Sequence, residues 1–250
     1  IAMKYGAEAY GSTATITGEI QKVANIALKI ISGNGCSLTA VRRDLNIPPI
    51  QATAAGAQSR ALAKLPTLKT EVARILNCGR TNTRCWLGKT RGETKKRRSR
   101  DEAWRLLEDK EKSKAWKRYK EKNFEKTSKL FRNLTALEST LQKGWKAVLQ
   151  IRTGHLWTCE RAARRGVADE NLLTVCPCCE KDTPETPLHR IFVCEKWEAY
   201  RQKADAQVGI SRGERMMWGE GAEEPADLLV QEPEREAATR MIWVATVVSL

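Results

Sequence analysis

Four residues in the C-terminal half have the types and spacing of a metal site. Residues 176–194 read C-x2-C-x9-H-x4-C, and the candidate ligands are Cys176, Cys179, His189 and Cys194. Zinc prefers four tetrahedral nitrogen and sulfur ligands, and a C-x2-C step lets two thiolates bind one ion from a tight knuckle. Three thiolates and one neutral imidazole leave no open position for chemistry. The pattern therefore predicts one structural Zn2+ in a closed site.

Nearby cysteine and histidine residues leave alternatives to this ligand set. Cys178 can replace Cys176 or Cys179, although Cys176 and Cys179 have the usual two-residue gap. His155 and Cys159, four residues apart, are rival ligands, and packing against the knuckle or facing a groove is the favoured interpretation for both. Four free thiols and a surface histidine are the simplest alternative. The chain has only 2 histidines, so one at this spacing favours the metal site.

The charge of the chain indicates a polyanionic partner. The 250 residues carry 44 Lys and Arg against 30 Asp and Glu, a net charge of +14. Residues 80–132 hold 20 Lys and Arg against 8 Asp and Glu, so +12 of this excess lies there. Nucleic acid is the simplest partner of such a chain, and an acidic membrane surface is the other class.

Cysteine usage and hydropathy predict the cellular compartment of the chain. Its 8 cysteines are sparse and clustered, which favours a reducing compartment over a secreted disulfide scaffold. The N-terminal residues lack the apolar core of a signal peptide, and the longest apolar run, residues 241–250, is about half a membrane span. We expect a soluble intracellular chain with no membrane partner. The first and last residues suggest a fragment cut at both ends.

Ten basic residues are the candidate nucleic-acid ligands. Each cation that neutralises a phosphate releases counterions, which gives salt-dependent binding to any sequence. Trp and Tyr side chains among the cations add faces on which bases stack. The densest run, residues 95–100, also fits a nuclear import signal, and we expect it to be disordered or a hinge. The candidates are Lys95, Lys96, Arg97, Arg98, Arg100, Lys117, Arg118, Arg161, Arg164 and Arg165.

The elements that position these residues are predicted to be helices, so the fold class is mainly α. Caps and 3,4-spaced apolar residues predict a helix from Thr15 or Thr17 to Ser32, whose apolar face includes Val23 and Ile30. Further helices are expected at 39–45, 50–65 and 68–76, with a glycine-punctuated strand or turn at 5–11.

The C-terminal half is expected to be helical too. From Asp101 as N-cap we expect one long helix. A stripe that continues to Val148 in near-heptad spacing is interpreted as a core or helix-pairing face. We expect an acidic loop or linker at 211–236 and a terminal helix from 237. The stripe consists of Leu130, Leu134, Leu137, Leu141, Trp145 and Val148.

No catalytic constellation is present in the sequence. There is no glycine loop of the kind that cradles phosphate, no Ser/His/Asp set, and too few histidines for a metallohydrolase. A polymerase palm needs an aspartate pair that holds two Mg2+ ions, and none is found. We therefore expect binding and not catalysis.

Four segments resemble non-LTR (LINE-type) retrotransposon polyproteins. They are Tyr5-Gly6-Ala7-Glu8, residues 45–50 (Leu-Asn-Ile-Pro-Pro-Ile), Thr153-Gly154-His155, and the C-x2-C-x9-H-x4-C block up to Trp197. The resemblance implies a parent with RNA-directed DNA polymerase (reverse transcriptase, a nucleotidyltransferase) and endonuclease activity. The palm with its Tyr/Phe-x-Asp-Asp site for Mg2+ is missing, so the chain is predicted to be inactive alone.

The resemblance also implies a division of the chain and its partners. Residues 1–95 would be a helical thumb-like bundle, 96–152 a long basic helical connector, 153–201 the CCHC zinc-knuckle module, and 202–250 an acidic linker with a truncated C-terminal helix. Template RNA or target DNA, and the upstream palm of the same polyprotein, would be the partners. The protein would be made in the cytoplasm and act in the nucleus. The alternative is a zinc-stabilised helical module that binds proteins through the leucine stripe.

Overall fold

The structure of the protein is a computed structural model. It describes residues 13–70, 74, 88, 91, 99–219, 222, 225–229 and 234–249. Within these ranges the regular structure is helical and contains no strand, which confirms the predicted mainly α class. The expected strand or turn at 5–11, most of the expected helix at 68–76, and the basic residues 95–98 lie outside the described residues.

Eleven α-helices account for most of the described residues. A turn of π-helix, His189–Val193, and several short 3-10 turns lie between them. The helices are α1 (Ala14–Ser32), α2 (Leu38–Leu45), α3 (Ile50–Lys64), α4 (Arg100–Glu108), α5 (Lys114–Glu121), α6 (Phe124–Leu137), α7 (Gln142–Arg152), α8 (Cys159–Arg164), α9 (Glu198–Val208), α10 (Arg212–Gly219) and α11 (Glu234–Ser249).

One compact unit comprises residues 1–30 and 46–112. Its described core joins α3 to α4, where Ala52 and Ala55 pack against Ala103 and the buried indole of Trp104. The alanines of α3 present little side-chain bulk, so α4 can approach it closely. A Cβ added at Gly56 would lie 2.8 Å from the Cβ of Arg100.

The other compact unit comprises residues 31–45 and 113–250. Its central helix is α11, whose Met241, Trp243 and Ala245 are fully buried. Helix α7 crosses α11 at Gly144, where an added Cβ would lie 1.8 Å from the carbonyl oxygen of Ala245. These units are defined by contacts, and the predicted division at residues 95, 152 and 201 stays a prediction.

A buried ion pair connects α2 with α7. Arg152 donates from Nε and Nη2 to the two carboxylate oxygens of Asp44, at 2.7 Å each, and both side chains are 0% exposed. The Tyr119 and Ser128 hydroxyls donate to Asp44 Oδ1 at 2.7 and 2.8 Å. Burying two charges is costly unless their hydrogen-bonding capacity is filled, and these partners fill it. The network fixes the end of α7, from which the Thr153-Gly154-His155 segment emerges.

The expected single long helix from Asp101 is wrong, because four helices (α4–α7) occupy this region. The first is capped by Ser99 and not by Asp101: Ser99 Oγ accepts from the Glu102 amide at 3.1 Å, and the Glu102 carboxylate accepts from the Ser99 amide at 2.9 Å. This reciprocal pair is a capping box. The chain breaks again between α5 and α6, at Asn123, whose φ of +52° lies in the left-handed region.

Of the two apolar faces predicted from the sequence, the leucine stripe is mostly buried and the face on α1 is exposed. The leucine stripe is largely core, since Leu134, Leu141, Trp145 and Val148 are buried, although Leu137 is 77% exposed. The expected apolar face of α1 is wrong, because Val23, Ile30 and Ile31 are 53%, 72% and 49% exposed. Helix α1 instead buries Thr17, Leu28 and Ser32, which lie on another side of the helix.

The C-terminal part combines a confirmed prediction with a correction. The terminal helix is confirmed as α11. The expected loop at 211–236 is wrong in part, because it contains α10 and a 3-10 turn at Pro225–Leu229. Ser211 caps α10. Its hydroxyl accepts a hydrogen bond from the Glu214 amide at 3.2 Å, and the Glu214 carboxylate accepts one from the Ser211 amide at 2.7 Å. In the described part of the chain, no helix combines the length and the apolar character needed to cross a membrane.

Candidate metal centre and basic surface

The two-cysteine step of the predicted site forms a tight knuckle. The Cys176 carbonyl accepts from the Glu180 amide at 2.8 Å, and the Cys176 amide donates to the Lys181 carbonyl at 3.1 Å. Glu180 turns the chain with a φ of +56°. Residues 180–186 then run as a loop, as Pro184 and Pro187 predict, before the helical turn that carries His189.

The four predicted ligands lie together. The donor atoms of Cys176, Cys179, His189 and Cys194 are all within 4.8 Å of one another, so the group can hold a metal ion. The Cys176 and Cys194 sulfurs are 4.0 Å apart, and Cys179 Sγ lies 3.4 Å from His189 Nε2. A tetrahedral zinc with Zn–S bonds of about 2.3 Å places two sulfurs roughly 3.8 Å apart, so these separations fit that ion.

Burial and mutual repulsion decide how these thiols titrate without a metal. Burial, together with the neighbouring Cys176 and Cys179, raises the pKa of Cys194 to about 12. Burial would also raise the pKa of Cys179, but hydrogen bonds from the Lys181 backbone and from two cysteines lower it overall. Burial lowers the pKa of His189, which keeps its imidazole neutral as a ligand must be. A dication at the centre would favour the thiolates.

Cys178 and Cys159 do not belong to this group. Cys159 donates its backbone amide to the buried Glu185 carboxylate at 2.8 Å, and burial together with Glu185 raises the pKa of its thiol to about 11. Burial and the charge of Glu185 likewise raise the pKa of Cys178. Neither sulfur is among the four donor atoms that lie within 4.8 Å of one another, so position, and not the pKa of the thiol, separates these two cysteines from the group.

The surrounding fold supports the knuckle from its C-terminal side. Arg201 of α9 is 1% exposed and donates to the carbonyls of Cys194 at 2.7 Å and Ile191 at 3.4 Å. Phe192 stacks on Trp243 of α11, with ring centroids 5.2 Å apart. Of the apolar residues between the last two ligands, Ile191 is buried whereas Val193 is 62% exposed.

The Thr153-Gly154-His155 segment ends α7 in a Schellman motif. The His155 amide donates to the Gln150 carbonyl at 2.7 Å and the Gly154 amide to the Ile151 carbonyl at 3.3 Å. Gly154 has the positive φ, +90°, that this cap requires. His155 is thereby placed inside the unit, 4% exposed, and neither it nor Cys159 is part of the metal group.

The structure describes six of the ten predicted nucleic-acid ligands. Arg100 begins α4 in the first unit and pairs with Asp101 at 3.0 Å. Arg164 pairs with Glu160 at 2.6 Å and Lys117 is exposed on α5. The remaining three lie together: Arg118 and Arg161 line one small cavity, and the charges of Arg165 and Arg118 act on Arg161.

Sequence reasoning missed three residues that shape this region. Glu185 is buried at 3% exposure, Arg201 holds the knuckle carbonyls, and Trp157 is 42% exposed beside Arg165. Glu185 lies between two prolines and Arg201 lies in a helix, and neither position gives a local sequence signal that the side chain is buried.

No protein-family model, curated protein or solved structure matches this chain.

Proposed function

We propose that this chain is a nucleic-acid-binding C-terminal part of a non-LTR retrotransposon polyprotein, held in shape by one structural zinc ion. The observation that carries the proposal is the group of three cysteines and one histidine within 4.8 Å of one another. Its spacing is also the most specific part of the sequence resemblance. Zinc knuckles recur in proteins that bind RNA or single strands.

Zinc is the ion that suits this donor set. Thiolate and imidazole ligands in a tetrahedral arrangement are typical of structural zinc sites. When bound, the ion would cross-link Cys176 and Cys179 of the knuckle to His189 and Cys194, and it would supply folding free energy. All four positions of a tetrahedral ion would be filled by protein, so the site is proposed as structural.

The basic surface supports nucleic acid as the partner. The net charge of +14 favours a polyanion, and cations at phosphates give binding that weakens as salt rises. In the proposed parent, template RNA or target DNA would be held here while the upstream palm, with its own Mg2+ ions, performs polymerisation. The proposed place of action is the nucleus, after synthesis in the cytoplasm.

Most of the docking face that the protein-interaction alternative requires is buried, although Leu137 is 77% exposed. That alternative depends on the leucine stripe, and Leu134, Leu141, Trp145 and Val148 of that stripe are buried within the second unit. A partner helix could reach them only if that core opened. We therefore retain nucleic-acid binding as the leading proposal.

Salt-dependent binding tests the proposal. Fluorescence anisotropy with labelled RNA and DNA over a salt series should give log Kd that rises linearly with log salt. Neutralising Lys95, Lys96, Arg97 and Arg98 together should weaken binding to all sequences alike and flatten the slope, by up to roughly 0.9 per lost duplex phosphate contact. The control replaces two exposed cations of α9 and α10, Lys203→Gln and Arg212→Gln, and the change in slope is compared per charge removed. A slope near zero for the unmodified protein would remove the proposal.

A further inference from the structure

Two cavities in the second unit share Leu156 and are lined by cations. The smaller, about 30 Å3, lies between α5 and the start of α8 and contains Arg118 and Arg161. The larger, about 170 Å3, contains Lys143, Lys146 and Arg190. Among the described residues, no aspartate or glutamate lines either cavity. Arg190 also pairs with the Glu185 carboxylate at 3.9 Å. An excess of positive charge around a cavity attracts anions such as phosphate.

The Arg161 guanidinium beside the smaller cavity is held by the protein. Arg161 donates from Nη1 to the Leu156 carbonyl at 3.0 Å, and the same nitrogen lies 3.5 Å from His155 Nδ1. Burial lowers the pKa of Arg161, and the positive charges of Arg165 and Arg118 lower it further, while Glu160 opposes them. A cavity of 30 Å3 has about the volume of one water molecule, so it accepts a single phosphate oxygen.

An indole lines the larger cavity, next in sequence to the Leu156 that both cavities share. Trp157 is 42% exposed and lines the larger cavity, next to Leu156. The guanidinium of Arg165 lies over its ring, 5.5 Å from the centroid, and the His155 ring is 5.6 Å away. The exposed Arg165 and the buried His155 restrict the orientation of the indole, and a base that stacks on the face under Arg165 must displace that guanidinium. An exposed aromatic ring among cations is the combination that binds unpaired bases.

We propose that Trp157 and the Arg118–Arg161 pair form a site for an unpaired nucleotide, in which the indole stacks on the base and the guanidinium groups bind its phosphate. Lys143, Lys146 and Arg190 around the larger cavity would accept the neighbouring phosphates. Base faces are hidden inside a duplex, so the site selects single-stranded nucleic acid. This inference rests on the proposed function, because it names the form of nucleic acid that this surface binds.

Binding of short homopolymers tests the site. Anisotropy is measured with oligothymidylate and oligouridylate of about 12 nucleotides, and with a DNA duplex of the same length. Trp157→Ala should weaken single-strand binding roughly 10-fold and leave the duplex nearly unchanged, because a stacked base is lost. Trp157→Phe keeps an aromatic face and should bind nearly as the unmodified protein does. Leu173→Ala, which also removes an exposed apolar side chain, is the control.

The charge component is tested separately. Arg118→Gln combined with Arg161→Gln should lower the salt slope of single-strand binding by about one. Lys203→Gln with Arg212→Gln removes the same charge elsewhere and should not affect single strands more than the duplex. A loss on only one of the two homopolymers would identify RNA or DNA as the strand bound, and a loss on both would show that the sugar is not read.

Photocrosslinking keeps the test independent of variant folding. A single-stranded probe that carries 5-iodouracil should crosslink to the peptide containing Trp157 in the unmodified protein. Crosslinks confined to other peptides, or an equal loss of single-strand and duplex binding in Trp157→Ala, would overturn the inference. If the unmodified protein binds with the expected salt slope and Trp157→Ala has no effect, this site is wrong and the proposed function stands. If the unmodified protein binds no nucleic acid, both fail.

Discussion

Adjacent cysteines have different environments in the knuckle. Cys179 lies 3.4 Å from His189 Nε2, whereas the thiol of Cys178 is influenced by the buried Glu185 carboxylate. The donor atom of Cys179 is among the four that lie within 4.8 Å of one another, and that of Cys178 is not. The position of each sulfur in the knuckle therefore separates residues 178 and 179.

Replacing each of these cysteines gives a matched pair. Cys179→Ser should reduce bound zinc from about one ion per chain to nearly none, because a tetrahedral site loses one of its four ligands. Cys178→Ser should leave zinc binding unchanged. Inductively coupled plasma mass spectrometry on purified protein measures both. Retention of zinc by Cys179→Ser, or its loss from Cys178→Ser, would contradict the ligand set.

The buried His155 predicts a pH dependence of stability. Burial lowers the pKa of His155, and the nearby charges of Arg161 and Arg165 lower it further. The unfolded chain therefore binds this proton more readily than the folded one, with an unfolded pKa of about 6.5. The stability contributed by the neutral imidazole is present above that pH and is lost as the pH falls below it.

A histidine replacement isolates this effect from acid loss of zinc. Urea unfolding of the unmodified protein and of His155→Gln, both loaded with zinc, should be compared at about pH 7.5 and 5.5. The unmodified protein should lose more stability on acidification than the variant. Zinc release affects both proteins, so the difference reports on His155. Equal losses would contradict a neutral buried imidazole.

At the scale of elements, close helix contacts depend on glycine. An added Cβ at Gly144 of α7 would lie 1.8 Å from the Ala245 carbonyl oxygen, and backbone cannot move aside as a flexible side chain can. Gly144 also donates its amide to Ser249 Oγ at 2.9 Å. The α7–α11 pair therefore requires glycine at residue 144.

Two glycine replacements should change the free energy of unfolding in opposite directions. Gly144→Ala should destabilise the protein by about 2 kcal/mol or more, because α7 and α11 must separate. Gly18→Ala in α1, where nothing lies within 4 Å of the new methyl group, should stabilise it by roughly 0.5–1 kcal/mol through helix propensity. Urea denaturation measures both. If Gly144→Ala leaves the free energy of unfolding unchanged, the two helices are not in close contact.

At the scale of the whole molecule, the metal centre and the C-terminal helix belong to one unit. Phe192 lies between the last two ligands and stacks on the buried Trp243 of α11. Arg201 adds hydrogen bonds from α9 to the same segment. Order in residues 176–201 is therefore expected to depend on the ion and to extend from there toward α11.

Metal removal tests this dependence. Chelation should abolish hydrogen-exchange protection in residues 176–201 and reduce it around Trp243, because metal binding supplies folding free energy to a small segment. The α3–α4 pair, which has its own core, serves as the internal reference. Unchanged exchange of the knuckle after chelation would count against a metal-dependent fold. A loss confined to α3 and α4 would contradict the assignment of the ion to residues 176–194.

Local pattern was sufficient to predict the group of four candidate metal ligands and several helices. Helices at 38–45 and 50–64 begin and end within one residue of the predicted bounds, since caps and periodicity are local properties. The C-x2-C-x9-H-x4-C spacing predicted the metal group for the same reason. The helix at 14–32 ends at the predicted Ser32, but the predicted caps Thr15 and Thr17 are wrong because both lie inside the helix. Asn123 was missed because a left-handed non-glycine residue has no clear signal within a run of charges.

The sequence by itself determined a helical, basic chain with a four-ligand metal motif, because composition, periodicity and short spacings are set by neighbours along the chain. Only the tertiary structure decided that the Cys159 amide binds the Glu185 carboxylate, that Asp44 pairs with Arg152 across 108 residues, and that Arg118 and Arg161 line one cavity. Such pairings join residues far apart in sequence, and packing alone brings their side chains together.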